Sequence, residues 1–173
     1  MPQVEIFTPT AVIAGSTPRV PGVGGGSELP RALLVQDARW YPTDGAKGER
    51  RGTMTVTGED LLLVVAAPPD MSAHGTRHPL SIDVGPYRIR ATVSTPAGFH
   101  PGRTILRPTG PFVALHDAQI VLTTREGAGV ARRSYVLVNR YAVEHVASPL
   151  SIGVFFPGAS FEDVREEALL SAG

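Results

Sequence analysis

The sequence predicts an all-β protein: two tandem similar small open β-barrels, the product of an internal duplication, followed by a short C-terminal helix. Three observations carry this. Glycine (19) and proline (16) are frequent and fall between short apolar runs, the punctuation that many short strands with tight turns require. Period-two alternation is clearest at 87–95, where Tyr87, Ile89, Ala91 and Val93 share one face and Arg88, Arg90, Thr92 and Ser94 the other, as on a half-buried strand. Finally, an ordered series of short motifs recurs along the chain, which is the mark of an internal repeat.

In chain order, strands are expected at 11–14, 33–41, 52–57 and 61–67, then at 80–84, 87–95, 112–122, 134–139 and 142–147. Most are β-branched or aromatic-rich runs bounded by Gly, Pro, Asp or Arg. The recurring series begins with Ser16-Thr17-Pro18, which returns as Ser94-Thr95-Pro96. Pro21-Gly22 returns as Pro101-Gly102, Asp37-Ala38 as Asp117-Ala118, and Arg50-Arg51 as Arg132-Arg133, at offsets of 78, 80, 80 and 82. Two apolar runs separated by a polar turn follow each Arg pair. The expected organisation is a first barrel over residues 1–68, a connector over 69–79, a second barrel over 80–159 and a helix over 160–173. Such units must close on themselves or pair with each other to hide their strand edges. For the helix, Ser160 is the expected N-cap, Glu162 and Asp163 suit the first turn, and Phe161, Val164, Ala168 and Leu169 recur at helical spacing. That stripe would dock on the parent barrel or serve as a handle for another subunit. Trp40-Tyr41 and Phe155-Phe156 are the main aromatic concentrations, and burial is the expectation for both pairs.

Composition limits the chemistry. The chain has 173 residues, 42% hydrophobic and 18% charged, with a net charge of zero, so it is long enough to bury a core and unlike a disordered tail. It has no cysteine, which excludes thiol catalysis, disulfides and thiolate-held metals. The N-terminus lacks the basic and long apolar regions of a signal peptide, and the longest apolar run, Leu61 to Pro69, is far short of a membrane span. A soluble, cytoplasmic protein is expected.

The charges are unevenly spread, with −2 over residues 1–85, +5 over 86–160 and −3 over 161–173. Arg88, Arg90, Arg132, Arg133 and Arg140 are therefore candidates for an anion-binding surface. The alternative is that the acidic tail packs near them and neutralises them. No metal site or cofactor is expected. His74 and His78 have a ligand spacing, but Gly75 and Pro79 argue for a loop. His116 and Asp117 are adjacent on a strand and face opposite ways. The Gly22–Ser27 run lacks the Lys-Ser/Thr of a phosphate loop, and no Gly-x-Ser-x-Gly is present. Asp37 and Asp117 read either as a catalytic pair or as bulge or strand-end residues accepting backbone hydrogen bonds, and the latter is preferred.

The segment Val138-Asn139-Arg140-Tyr141-Ala142-Val143-Glu144-His145-Val146 resembles the second motif of Sm-like barrels of the Hfq type. The second half is also similar to uncharacterised bacterial proteins of this barrel type. The resemblance puts Arg140 at the family's lysine and Tyr141 at its histidine. It implies a small barrel in which those two would contact a nucleotide, by charge to phosphate and by stacking on a base. The first Sm motif is not recognisable, and the first copy has Gly58-Glu59-Asp60 at the equivalent turn.

Functionally, the residues favour a non-enzymatic binding or assembly module acting through protein–protein contacts or self-association. No set of nucleophile, base and oxyanion donor can be assembled from them. Two other readings stay open. One is Sm-like binding of single-stranded RNA through Arg88, Arg90, Arg132, Arg133, Arg140 and Tyr141. The other is an enzyme with a site between the copies around Asp37, Asp117 and His116.

Overall fold

The computed structural model describes residues 1–22, 28–69, 75–96, 110–150 and 155–171. The strands are β1 (Gln3–Phe7), β2 (Ala11–Ser16), β3 (Ala32–Pro42), β4 (Glu49–Thr57), β5 (Leu63–Val65), β6 (Gly75–Val84), β7 (Tyr87–Pro96), β8 (Phe112–Leu122), β9 (Val130–Asn139), β10 (Val143–Ser148) and β11 (Ser160–Asp163). A single-turn 3-10 segment (Gly58–Asp60) precedes β5, and the chain ends in the short helix α1 (Glu166–Leu170). The fold is all-β, as expected.

The strands form one continuous sheet in the order β11-β10-β6-β7-β8-β9-β5-β1-β2-β3-β4. The expectation was two barrels side by side. A single open sheet results because β5 pairs with β1 on one edge and with β9 on the other, joining the halves edge to edge. Leu62 extends this seam in both directions, its N–H donating to Phe7 O at 3.1 Å and its carbonyl accepting from Asn139 N at 2.9 Å. Within residues 1–65 the strand order is β5-β1-β2-β3-β4, and within 75–148 it is β10-β6-β7-β8-β9.

Two apolar cores lie along this sheet. One gathers Ile82, Ile89, Leu115, Ile120, Val146 and Phe156 with their neighbours, and the other Ile6, Ile13, Val35, Val56 and Leu61 with theirs. The cores exchange residues at the seam. Phe7, Leu62 and Leu63 of the first half enter the second-half core, while Phe112, Tyr135 and Leu137 enter the first-half core. β5 and the C-terminal part of β9 are thus buried on both faces, which is why LLLVV and YVLV read as unbroken apolar runs.

Local chemistry explains the turns. The β1–β2 turn is closed by Thr8, whose N–H and Oγ1 both bond the Ala11 carbonyl while Oγ1 accepts from Ala11 N. The β6–β7 hairpin turns through Gly85 and Pro86. Gly85 has φ +51°, and a Cβ there would lie 2.6 Å from Leu62 Cδ1, so a larger residue would strike the seam.

Asp37 and Asp117 sit at matching interruptions of β3 and β8. Both have positive φ, 50° and 51°. The β2–β3 register shifts between Ala14 and Ser16, and the β7–β8 register between Arg90 and Thr92, as each passes its Asp. These are bulges, within the structural reading preferred from the sequence. Asp tolerates the left-handed region better than most residues do, and the inserted residue turns the strand so that Val35 and Ala38, or Leu115 and Ala118, reach the same core.

Several sequence expectations shift. β1 was not expected, although Val4 and Ile6 alternate with Gln3 and Glu5 between two prolines. β6 starts at Gly75, five residues inside the expected connector. The Ser-Thr-Pro match is displaced by one pleat, since Ser16 lies opposite Gln36 but the residue opposite His116 is Thr92 rather than Ser94. Pro101, Gly102, His74, His100 and residues 23–27 of the glycine-rich run lie outside the described residues. At the C-terminus, Ser160–Asp163 is a strand paired in parallel with β10, and the helix spans only Glu166–Leu170 with Arg165 as N-cap. The backbone of 160–163 pairs with the β10 edge at 145–148, and this tertiary pairing overrides the helical spacing.

The bulges give a direct test. Asp37→Val should lower unfolding stability by about 1–2 kcal/mol, the cost of a left-handed β-branched residue, whereas Asp37→Asn should be near neutral; urea midpoints of the two variants check this.

Candidate functional site

The predicted cations divide into three groups. Arg88 and Arg90 project from the outer face of β7, and Arg132 from that of β9. The ladder aligns Ser81, Arg90, Gln119 and Arg132 across β6, β7, β8 and β9. Two strand spacings place Arg90 and Arg132 roughly 10 Å apart. Arg88 is held by Asp83, donating from Nε at 2.7 Å and from a terminal nitrogen at 3.0 Å. Its hydrogen bond keeps the Asp83 carboxyl below its usual range. The second group is Arg133 alone. It turns to the opposite face and clamps Glu5 of β1 in a two-point pair at 2.6 and 2.8 Å, and this bond pushes its own pKa up. Arg133 therefore ties the halves together and is withdrawn from the outer face.

Arg140 and Tyr141 form the third group, in the turn between β9 and β10. The turn is built by buried Asn139, whose Oδ1 accepts from Tyr141 N at 3.1 Å and whose carbonyl accepts from Ala142 N at 3.1 Å. The Arg140 guanidinium stacks on the Tyr141 ring at 5.0 Å, and Tyr141 is 52% exposed. Eight residues of extended chain separate this turn from Arg132, roughly 26 Å, so the six predicted residues do not make one surface. Arg88 is held by Asp83 rather than by the acidic tail. The tail's Glu162 meets His145 at 3.3 Å.

Two of the residues considered for an enzyme, Asp117 and His116, have other partners. Asp117 pairs with Arg77 at 2.6 Å, and the His116 ring packs edge-on against Tyr135 at 5.6 Å. Among the described residues no hydrogen bond or ion pair joins Asp37 to either. His78 lies on β6, its Nε2 2.9 Å from Thr95 Oγ1. His145 contacts Ser160 Oγ at 2.7 Å. No group of three or more His, Asp or Glu side chains able to hold a metal occurs among the described residues.

A cleft of about 220 Å³ opens between the halves, lined by Phe7, Val12, Tyr41, Tyr87, Leu122 and Arg125 among others. It falls below the usual range of small-molecule sites. Tyr87 is committed to structure, donating to Thr8 O at 2.8 Å and packing edge-on against Phe7, and burial pushes its phenol pKa up. Of the aromatic pairs, Phe155 and Phe156 are buried, whereas Tyr41 is 45% exposed and Trp40 lies under the Arg51 guanidinium at 4.1 Å.

The feature missed from the sequence is at the sheet edges. β4 pairs only with β3 among the described residues, and its outward residues Thr53, Thr55 and Thr57 are exposed. Arg39 and Arg50 stand directly opposite each other across β3 and β4, both exposed. Neither side chain has an ion pair or hydrogen bond among the described residues, and like charges so placed repel. The signal was present in the Thr-Met-Thr-Val-Thr alternation beside an Arg pair. At the other edge lie β11 and α1, which carry Glu162, Asp163, Glu166 and Glu167 and bury none of their residues. No helix of the described residues is long and apolar enough to cross a membrane.

Comparison with protein-family models, curated proteins and solved structures finds no match to this chain.

Two outcomes follow from these contacts. Glu5→Gln should cost about 1–2 kcal/mol at neutral pH, the worth of a charge-assisted pair, measured by denaturant unfolding. Burial, then Arg77, hold the His116 pKa below the ordinary value, with Asp117 opposing. The unfolded chain thus binds that proton first, so the contribution is complete above about pH 6.5 and is lost as pH falls through the folded-state value. Thermal melts at pH 7 and pH 5 should show a smaller loss for His116→Gln than for the parent chain.

Proposed function

We propose that this protein is a non-enzymatic assembly module: a doubled five-stranded β unit whose open β4 edge accepts an extended strand from a protein partner. The doubling rests on the shared strand order of the two halves, on the equal lengths of β3 and β8 at an offset of 80, and on the paired Asp bulges. The observation that carries the function is the asymmetry of the sheet's edges. One edge is a nine-residue strand with exposed threonines and one-sided pairing, and the other is blunted by a four-residue strand. A long unpaired edge supplies a row of backbone donors and acceptors to an incoming strand. A soluble, cytoplasmic setting is part of this reading.

The test is amide hydrogen exchange of the protein with and without displayed extended peptides. Binding should slow exchange in residues 50–57 and leave β7 unchanged. Peptides that bind without protecting β4, or a library with no binder, would remove the reading.

The Arg140–Tyr141 stack, with the Tyr141 ring half exposed, favours a second reading, Sm-like contact with single-stranded RNA at that turn. It requires salt-sensitive binding of single-stranded RNA that Arg140→Ala weakens by about tenfold. A flat titration at low salt would discard it.

A further inference from the structure

The two edges of the sheet are complementary in both charge and apolar character. The β4 edge presents Arg39, Arg50 and Arg51, with Leu34 exposed on β3 directly opposite Thr55. Arg51 is partly balanced by Glu49 at 3.1 Å, which leaves the opposed Arg39–Arg50 pair as the repulsive centre. The C-terminal edge presents Glu162, Asp163, Glu166 and Glu167, with Phe161 and Leu170 exposed at 38% and 69%. Among the described residues β4 and β11 do not pair with each other, and nine strands lie between them in the sheet order. An acidic segment set beside Arg39 and Arg50 would relieve their repulsion, and Leu34 would meet an apolar side chain instead of water.

From this we propose that the occupant of the β4 edge is a second copy of this chain, docked head to tail through β11 and α1. The inference rests on the β4-edge reading above and names its partner. The contact is heterologous, because each copy uses a basic edge and offers an acidic one. It therefore generates a ring if the rotation closes and a filament if it does not. β11 adds a short strand to β4, α1 lays its glutamates over the arginine pair, and salt screens the attraction.

The experiment is sedimentation of the full chain and of two charge-reversed variants. In one, Arg39→Glu and Arg50→Glu make both edges acidic; in the other, Glu166→Arg and Glu167→Arg make both basic. All four positions are exposed, and circular dichroism checks the fold of each variant. The parent chain should associate with concentration in 50 mM salt and about tenfold more weakly in 500 mM salt. Each variant alone should remain monomeric, and an equimolar mixture should associate again. The proposal is overturned if the parent chain stays monomeric at low salt up to about 100 μM, if either variant alone associates as the parent does, or if the mixture does not. If a displayed peptide still protects β4 while the chain is monomeric, the self-docking inference falls and the β4-edge reading stands.

Discussion

The ladder between β5 and β9 is the constraint on which the rest of the molecule depends. β5 is only three residues long, yet it joins β1 of the first half to β9 of the second. Its side chains alternate between the two cores, with Leu63 in one and Val64 in the other, both fully buried. On β9, Val136 and Val138 alternate in the same way with Tyr135 and Leu137. Each such aliphatic side chain contributes roughly 1.5–3 kcal/mol when removed from water. Neither core is complete without residues from across the seam, so each half supplies part of the other's interior. The Glu5–Arg133 pair and the Tyr87–Thr8 hydrogen bond reinforce the join from β1 and the following turn.

The consequence for function is positional. Joining β5 to β9 uses up one edge of each half and leaves two edges of different kinds at the ends of a single sheet. β4 is long and basic, and β11 is short and acidic. Had the halves closed separately, neither edge would be available. The asymmetry that carries the functional reading is thus a product of the seam.

Much of this was legible in the sequence where a rule depends on local residues. The alternation at 87–95 places Arg88 and Arg90 on one face, the run 112–122 gives β8 its full bounds, and the Asp-Ala steps read as bulges or strand ends. What was not legible depends on partners far along the chain. β1 has too few alternating residues to stand out, and it is a strand because β2 and β5 flank it. Residues 160–163 carry helical spacing, and their pairing with the edge of β10 overrides it. Net charge put Arg132 and Arg133 in one anion-binding set without revealing that Glu5, 128 positions away, awaits Arg133. Basic residues were sought where net charge was highest, in 86–160, whereas the exposed and unrelieved pair is Arg39–Arg50. A count of charge cannot see that Asp83, Asp117 and Glu5 occupy cations elsewhere.

The most direct test is whether the seam makes both halves one cooperative unit. Trp40 is the only tryptophan and reports on the first half, while amide exchange at Ile89 reports on the second half. Leu137→Ala removes a seam side chain from the first-half core and should cost about 2–4 kcal/mol. The account predicts a single urea transition, with the Trp40 fluorescence midpoint and the Ile89 protection falling together in the variant. Two separated transitions, or a lowered Trp40 midpoint beside unchanged protection at Ile89, would contradict it.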